Sequence, residues 1–557
     1  MAERLSVRLP AFGVFALLWA VSSAAAQQPL APQFEAKAQP PARSTEKAAP
    51  ARLLERAAKA ERAGEWEAAF AAYCELPAAD RSIPEIREKV NSALRRVQQI
   101  RRHRDPGYQQ FTRRLPSGDA ANLFAEVAAK VPGLFAEANK ATPQILWAHG
   151  IEELDRALGN PVFRSFAFDQ ASPVKLVEFR SSLRSDWAKR PISDSREARA
   201  GLKQLLAAAQ DSFSVRVPSA LAVEVVSGAC SGLDEYTVFL NPSQLLDPVE
   251  TTNLASYGLS VRMLNGQLVV DSVQPGSWIS FHAPHLFKGV ALAKVNGRKI
   301  TGPAVLDDAL RSPLNGVLEL EVAEAVRAEE AVVRLPLHLP TVWHRVVGSK
   351  DGIGYIRIGE FQPGTPRDLD LALAALRMQD VRAIILDLRG NRGGSFNAAV
   401  ETAKRFLPAG LIVTTQGQHG EVADRVFSSD FGMRAIELPV VVMIDSETAS
   451  AAEVVAAAIR DNQNRTSRAV LVGMPTFGKG TIQYPLKLAA TDDGETKSGT
   501  VRVTIARLIA PNGTPINGTG ITPDCQVADP PRQWEMALEQ ATDLLRPMSP
   551  ALPQNQQ

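Results

Sequence analysis

The strongest constraint on the fold is a series of short, mostly apolar runs separated by stretches of helix length. From Gly352 onward the pattern alternates. Ile353-Gly354-Tyr355-Ile356-Arg357-Ile358 reads as a strand, and Thr365 to Met378 as an amphipathic helix. Ala383-Ile384-Ile385-Leu386-Asp387-Leu388 reads as a buried strand, Asn397 to Phe406 as a helix and Leu411 to Thr415 as another strand. Val440-Val441-Val442-Met443-Ile444 and Ala469-Val470-Leu471-Val472-Gly473 are further apolar runs, and the alanine-rich stretch Ala449 to Ile459 between them has good helix propensity. Such alternation predicts an α/β layer of parallel strands with covering helices.

Two breaks in this pattern carry chemistry. Asp445-Ser446-Glu447-Thr448 ends one strand, and Ser450 stands where the next helix begins. Further on, Lys479 lies in a turn flanked by Gly478 and Gly480. A serine hydroxyl is a poor nucleophile until a base takes its proton, and a lysine serves as that base when burial removes its charge. A helix N-terminus beside the serine adds N–H groups and a favourable dipole for a developing oxyanion.

Thr448-Ala449-Ser450-Ala451-Ala452-Glu453, together with Phe477-Gly478-Lys479-Gly480-Thr481-Ile482-Gln483, resembles the carboxyl-terminal processing peptidases, or tail-specific proteases. These are serine proteases with a Ser–Lys pair and a PDZ domain. The resemblance implies Ser450 as nucleophile, Lys479 as base and Gln483 as the residue that orients the lysine. It covers roughly Leu233 to Val527, closing on Pro511 to Ile516 and Gly518 to Asp524. After Leu388 comes Arg389-Gly390-Asn391-Arg392-Gly393-Gly394, whose glycines permit positive φ or close backbone approach. In the family this loop supplies one oxyanion N–H and the residue after the nucleophile the other. Those positions are Gly393 or Gly394, undecided between the two, and Ala451.

Leu233-Asp234-Glu235-Tyr236-Thr237 resembles the segment ahead of the PDZ domain, with Glu235 where the family usually has proline, a change expected to loosen a turn. Tyr257-Gly258-Leu259-Ser260-Val261 opens a PDZ-like pattern. There the Tyr257-Gly258 loop is expected to offer backbone N–H groups to a peptide's terminal carboxylate, and Leu259 to Val261 to pair with the peptide as an added strand. Asn296-Gly297 signals a hairpin, and Asp307 to Arg311 reads as helical. His282 and His285 lack a third ligand and are expected to be surface or packing residues.

The remainder bounds the reading. A chain of 557 residues is too long for one core. Its formal net charge of +2 gives no field that points to nucleic acid or a membrane surface. Cys74, Cys230 and Cys525 have no metal-ligand spacing, and one bridge at most can form among them. No metal or cofactor is expected. Arg4 and Arg8, the apolar run Ala11 to Val21 and Ala24-Ala25-Ala26 predict a signal peptide with Gln27 as the new N-terminus. That implies an exported protein, periplasmic or secreted, and membrane-associated if the segment is retained. Gly64 to Tyr73 resembles part of a tetratricopeptide hairpin packed on the body. Arg95, Arg96, Arg101, Arg102 and Arg104 read as a solvated helix face.

The expected organisation is a signal peptide (1–26), a flexible linker (27–50), a mostly helical N-terminal region (51–232) and a connecting segment (233–252). A PDZ-like β domain (253–325) follows, then an α/β protease core (326–528) and a C-terminal helix and tail (529–557). The expected substrates are proteins or peptides with accessible C-termini, and an adaptor or a second copy of the chain is expected to meet the N-terminal helical region. Two rivals stand beside this reading: a catalytically silent PDZ-bearing scaffold of the same fold, and an acyl-CoA-type enzyme with a similar oxyanion hole. The histidines fall in no family motif, so a Ser-His-Asp triad is not favoured.

Overall fold

The computed structural model describes residues 50–546, apart from 77–79, 81–82, 171, 245–253, 265–266, 274–276, 303–304, 307, 310–316, 324–330, 337–339, 348–351, 431–434, 463–467 and 490–498. The expected signal peptide therefore lies outside the described residues, as does most of the helix expected over Asp307 to Arg311. The chain divides into two units. One comprises residues 1–246, 413–427 and 478–520, and the other residues 247–412, 428–477 and 521–557.

The second unit contains the α/β layer. Its sheet runs Val342–Val347, Ile353–Ile358, Ala383–Asp387, Val440–Ile444, Ala469–Gly473, Cys525–Gln526. The first pair is antiparallel and the others parallel. Every residue of Ala383–Asp387 and Val440–Ile444 is buried, which is why Ala383 to Leu386 and Val440 to Ile444 are continuous apolar runs rather than alternating ones. Leu386 stands opposite Val442, and Val442 opposite Leu471. The strand ends that lead into Leu388 and Asp445 thus emerge side by side. The helix Pro530–Leu544 buries Ala537 and Ala541 in the apolar cluster of Tyr355, Ile385, Met443 and Val472.

A separate antiparallel sheet in this unit runs Leu259–Leu264, Gln267–Val273, Ala291–Val295, Val317–Val322, Val332–Pro336. The expected hairpin at Asn296-Gly297 joins Ala291–Val295 to Arg298–Lys299. Among the described residues, Leu259–Leu264 is an edge strand. Phe281, on the short helix Trp278–His282, meets Trp343, Tyr355 and Trp534 with ring centroids 5.1, 5.0 and 5.9 Å away, and so joins this sheet's domain to the α/β layer. His282 stacks on Trp278 at 4.2 Å.

The first unit is mostly helical. The helix Pro218–Ser231 is buried almost along its whole length, among Ser117–Lys130, Pro143–Gly159 and Ser195–Ser212. An antiparallel sheet closes this core. Thr500–Ile509 pairs with Thr481–Lys487 and Val238–Leu240, and its Val501, Val503 and Ile505 join the helical apolar cluster. The strand Gly410–Gly417 pairs antiparallel with Thr500–Ile509 from Thr414 to Gly417. Leu411 to Thr415 therefore does not extend the parallel layer as its place in the alternation suggested, because an apolar run marks a strand without saying which sheet it joins.

The helices Pro50–Ala63, Trp66–Cys74 and Pro84–Arg104 share a small core of Leu53, Phe70, Tyr73, Ala93 and Val97. The basic run on the third is not simply a solvated face. Arg96 lies over the Trp66 ring at 5.2 Å, while Arg102 points inward and pairs with Glu153 and Glu224 at 3.0 and 2.8 Å. Glu224 is fully buried and also accepts the Tyr108 hydroxyl at 2.7 Å. Burial opposes its ionisation, but Arg102 and His103 together outweigh that and hold its carboxyl well below the ordinary range. No disulfide joins Cys74, Cys230 and Cys525.

Candidate active site

Ser450 begins at the C-terminal edge of the parallel layer. The chain leaves Ile444, and the Asp445 carboxylate accepts N–H groups from Gly390, Glu447 and Thr448, each at 3.0 Å. Ala449 N–H donates to Asn391 O at 2.9 Å. The Gly390–Gly394 loop and the loop before Ser450 are thereby tied together. Ser450 then takes φ 56° and ψ −119°, immediately before the helix Ala451–Asp461. Positive φ at a residue with a side chain costs on the order of 1–3 kcal/mol and persists only where neighbours enforce it. Here the Ser450 N–H donates to Glu453 Oε2 at 2.8 Å. Ser450 itself is half-buried, whereas Ala451 to Ile459 are buried. Ala451 is the first residue of the helix, where backbone N–H groups lack intrahelical acceptors.

The glycine pair is required by space as well as by conformation. Gly393 has φ 106°, and a Cβ there would stand 2.8 Å from Ser450 Cβ and 3.0 Å from Ala451 N. Gly394 has φ 126°, and a Cβ there would stand 2.2 Å from Phe361 O. Any side chain at Gly393 would push on the serine itself. Asn391 anchors the loop. It is fully buried, its Nδ2 donates to Ile358 O at 2.9 Å, and its Oδ1 accepts Gly393 N–H at 2.8 Å.

Beneath the loop lies a buried charge network. Asp387 accepts from Arg389 through Nε at 3.0 Å and Nη2 at 2.7 Å, and from the Tyr355 hydroxyl at 2.8 Å. Burial would raise the Asp387 carboxyl, yet Arg389 and Arg357 hold it below its ordinary value. Arg389 also donates to Gln533 Oε1 at 3.2 Å, which links the C-terminal helix to the loop's base.

Lys479 and Gln483 belong to the first unit. Lys479 is only 9% exposed, so it is not a solvated turn lysine. Gly478 O accepts Gly518 N–H at 2.7 Å, and Gly480 N–H donates to Asn517 Oδ1 at 3.2 Å. Lys479 Nζ stands 5.6 Å from the centroid of the Tyr236 ring. Asp234 shapes the turn that presents this ring, accepting N–H from Tyr236 and Thr237 at 3.0 and 2.6 Å. Burial raises the Asp234 carboxyl. Glu235 adds an ion pair to Arg87 at 3.1 Å, a tether that the expected loosening of this turn did not foresee. Gln483 Nε2 donates to Thr481 Oγ1 at 2.6 Å and Thr504 Oγ1 at 3.5 Å.

Tyr257 is buried, and its hydroxyl donates to Pro336 O at 2.5 Å. Gly258 and Leu259 are also buried, Ser260 is exposed and Val261 is half-buried. Residues that the sequence reading left without a role are Asn391, Glu453, Thr476 and Tyr236. For Glu453 a signal was present, since Ser-x-x-Glu at a helix start is the spacing of a capping box.

A chain with such a serine at the edge of an α/β layer is comparable with known proteins. The model of peptidase family S41 matches residues 352–527. The carboxyl-terminal-processing protease of Synechocystis is 30% identical over 359 residues, covering 62% of this chain and 75% of that one. The carboxy-terminal-processing protease of Bartonella bacilliformis is 28% identical over 319 residues, covering 56% of this chain and 70% of the relative. Among solved structures, a photosystem II D1 C-terminal processing protease aligns over 69% of this chain and 93% of its own at 23% identity, with a TM-score of 0.34, too slight a similarity to bear on the fold. The class is that of serine-type peptidases. Within it, the chain belongs to peptidase family S41, the carboxyl-terminal processing peptidases.

Proposed function

We propose that the protein is an exported endopeptidase that cleaves protein or peptide substrates selected through their C-terminal tails. Ser450 is its nucleophile and Lys479 its general base. Neutral Lys479 takes the Ser450 proton as the oxygen attacks a peptide carbonyl, forming a C–O bond and a tetrahedral oxyanion. The oxyanion is held by the Ala451 N–H and one N–H of the glycine loop. The Gly393 N–H is already given to Asn391, which favours Gly394 as that donor. Collapse breaks the C–N bond, and the lysine proton passes to the leaving amine. Lys479 then activates water, which releases the acid and restores the serine. Gln483 orients the lysine. No metal or cofactor enters these steps.

The observation that carries this reading is the strained Ser450 backbone, set at a helix N-terminus against a glycine that leaves no room for a side chain. The edge strand Leu259–Leu264 supports the assignment of its sheet as a PDZ-like domain that adds a substrate tail as a further strand. The charged start and short apolar run of the N-terminus support export, and among the described residues no helix is long and apolar enough to cross a membrane.

A serine-directed fluorophosphonate probe tests the core of the reading. Wild type should be labelled at Ser450 and should cleave an unstructured peptide, while Ser450→Ala and Lys479→Ala should do neither with unchanged melting. A folded wild-type protein that cleaves nothing and takes no label would identify the silent scaffold. Tail selection is tested separately by amidating the substrate's C-terminus. Cleavage of the amidated peptide should fall through weaker engagement, and equal cleavage would end the tail-reading part alone.

A further inference from the structure

We propose that Thr476 is a positioning residue for the nucleophile, acting through Glu453; the proposal rests on the assignment of Ser450 above. Glu453 is fully buried, and its two carboxylate oxygens are spent differently. Oε2 accepts the Ser450 N–H at 2.8 Å, while Oε1 accepts the Thr476 hydroxyl. Thr476 is 3% exposed, and its Oγ1 in turn accepts the Ile521 N–H at 2.7 Å. A hydroxyl has a single proton, so with the Ile521 N–H on its acceptor side the Thr476 proton is directed to Glu453. The result is one chain of bonds, Ile521 N–H to Thr476, Thr476 to Glu453, and Ser450 N–H to Glu453.

Thr476 is itself fixed by bonds that do not involve Glu453. Its N–H donates to Ile521 O at 3.1 Å, and the next N–H, of Phe477, donates to Thr448 O at 2.9 Å. The terminal torsion of a glutamate is soft, so the carboxylate keeps a definite plane only when both oxygens are held. Holding Oε1 therefore fixes where Oε2 stands, and Oε2 holds the Ser450 amide at positive φ. Without the threonine hydroxyl, the carboxylate turns toward another donor and the serine relaxes away from the geometry that aims its oxygen.

A hydroxyl that merely satisfied a buried carboxylate would affect melting but not the chemistry of an intact fold. Thr476→Val is nearly isosteric and removes only the hydrogen-bonding group. In the full-length protein it should lower kcat and the rate of fluorophosphonate labelling together, by about 10²-fold, with KM little changed, since a misplacement near 1 Å costs about that much. Thr476→Ser should restore most of both. In a Glu453→Gln background the valine substitution should add little, because the threonine acts through the glutamate. Labelling of T476V at the wild-type rate, or effects of T476V and E453Q that simply multiply, would overturn the proposal. Should T476V not fold, Thr476→Cys takes its place, and labelling of T476C as fast as T476S would overturn it equally. Ser450→Ala separates the two levels: persistent labelling in S450A would remove the nucleophile assignment, whereas an inert S450A beside a fully active T476V would remove only the role of Thr476.

Discussion

The residues around Ser450 are specified by what they exclude. A Cβ at Gly393 would meet Ser450 Cβ and Ala451 N, so Gly393→Ala should cost about 10²-fold in kcat while a tail peptide binds much as before. Steady-state kinetics on such a peptide checks the split. Lys479→Arg should be as inactive as Lys479→Ala, a loss of roughly 10²–10⁴-fold, because an arginine does not give up its proton in a protein. Substantial turnover by the arginine variant would remove the general-base assignment. With lysine as base, kcat/KM of the wild type should rise with pH through an ionisation below the free-lysine value of about 10.4, since burial disfavours the charged form. At this scale the local motifs singled out Ser450 and Lys479 as candidates. They could not single out Thr476, which sits between Pro475 and Phe477 and reads as an ordinary loop residue, because its partners Glu453 and Ile521 are distant in sequence.

Among the elements, the parallel strands were legible because burial on both faces leaves a continuous apolar run, as in Ala383 to Leu386 of Ala383–Asp387 and in Val440–Ile444. The charged residue that ends the first of them was not interpretable in the same way. Asp387 is held by Arg389 and Tyr355, and only the folded sheet brings Tyr355 beside it. Arg389→Met should therefore destabilise by about 3 kcal/mol, because it leaves the buried Asp387 carboxylate with Arg357 as its remaining cation. Chemical denaturation would measure this, and Asp387→Asn in the same chain should recover part of the loss. The sign with pH follows from the same pair. The folded-state value of Asp387 lies below its unfolded value, so its contribution is present above the ordinary aspartate range, near pH ~3.9, and is lost as pH falls from there through the folded value. Denaturant midpoints of wild type should fall on acidification in that window, and those of Asp387→Asn should fall less. The aromatic contact of Phe281 with Trp343, Tyr355 and Trp534 sets another expectation. Phe281→Ala should speed amide exchange in Trp278–His282 and Val342–Val347 while leaving Ala383–Asp387 protected.

For the whole molecule the governing fact is how the chain is shared out. The helical core between Tyr108 and Phe239 depends on Leu488, Val501, Val503 and Ile505, which arrive near the other end of the sequence. No composition or periodicity could have revealed that dependence, because the helices Ser117–Lys130 through Pro218–Ser231 look self-sufficient when read alone. A fragment ending at residue 246 should accordingly expose apolar surface and bind a hydrophobic dye, whereas the full chain should not; a cooperatively melting, dye-silent fragment would contradict this. The interleaving also has a meaning in time rather than in space. A chain made or threaded from its N-terminus delivers its helices first. At ~5–20 residues per second they wait on the order of tens of seconds before the strand Thr500–Ile509 appears to seal them. A helical core that is made early is therefore among the last parts of this protein to be finished.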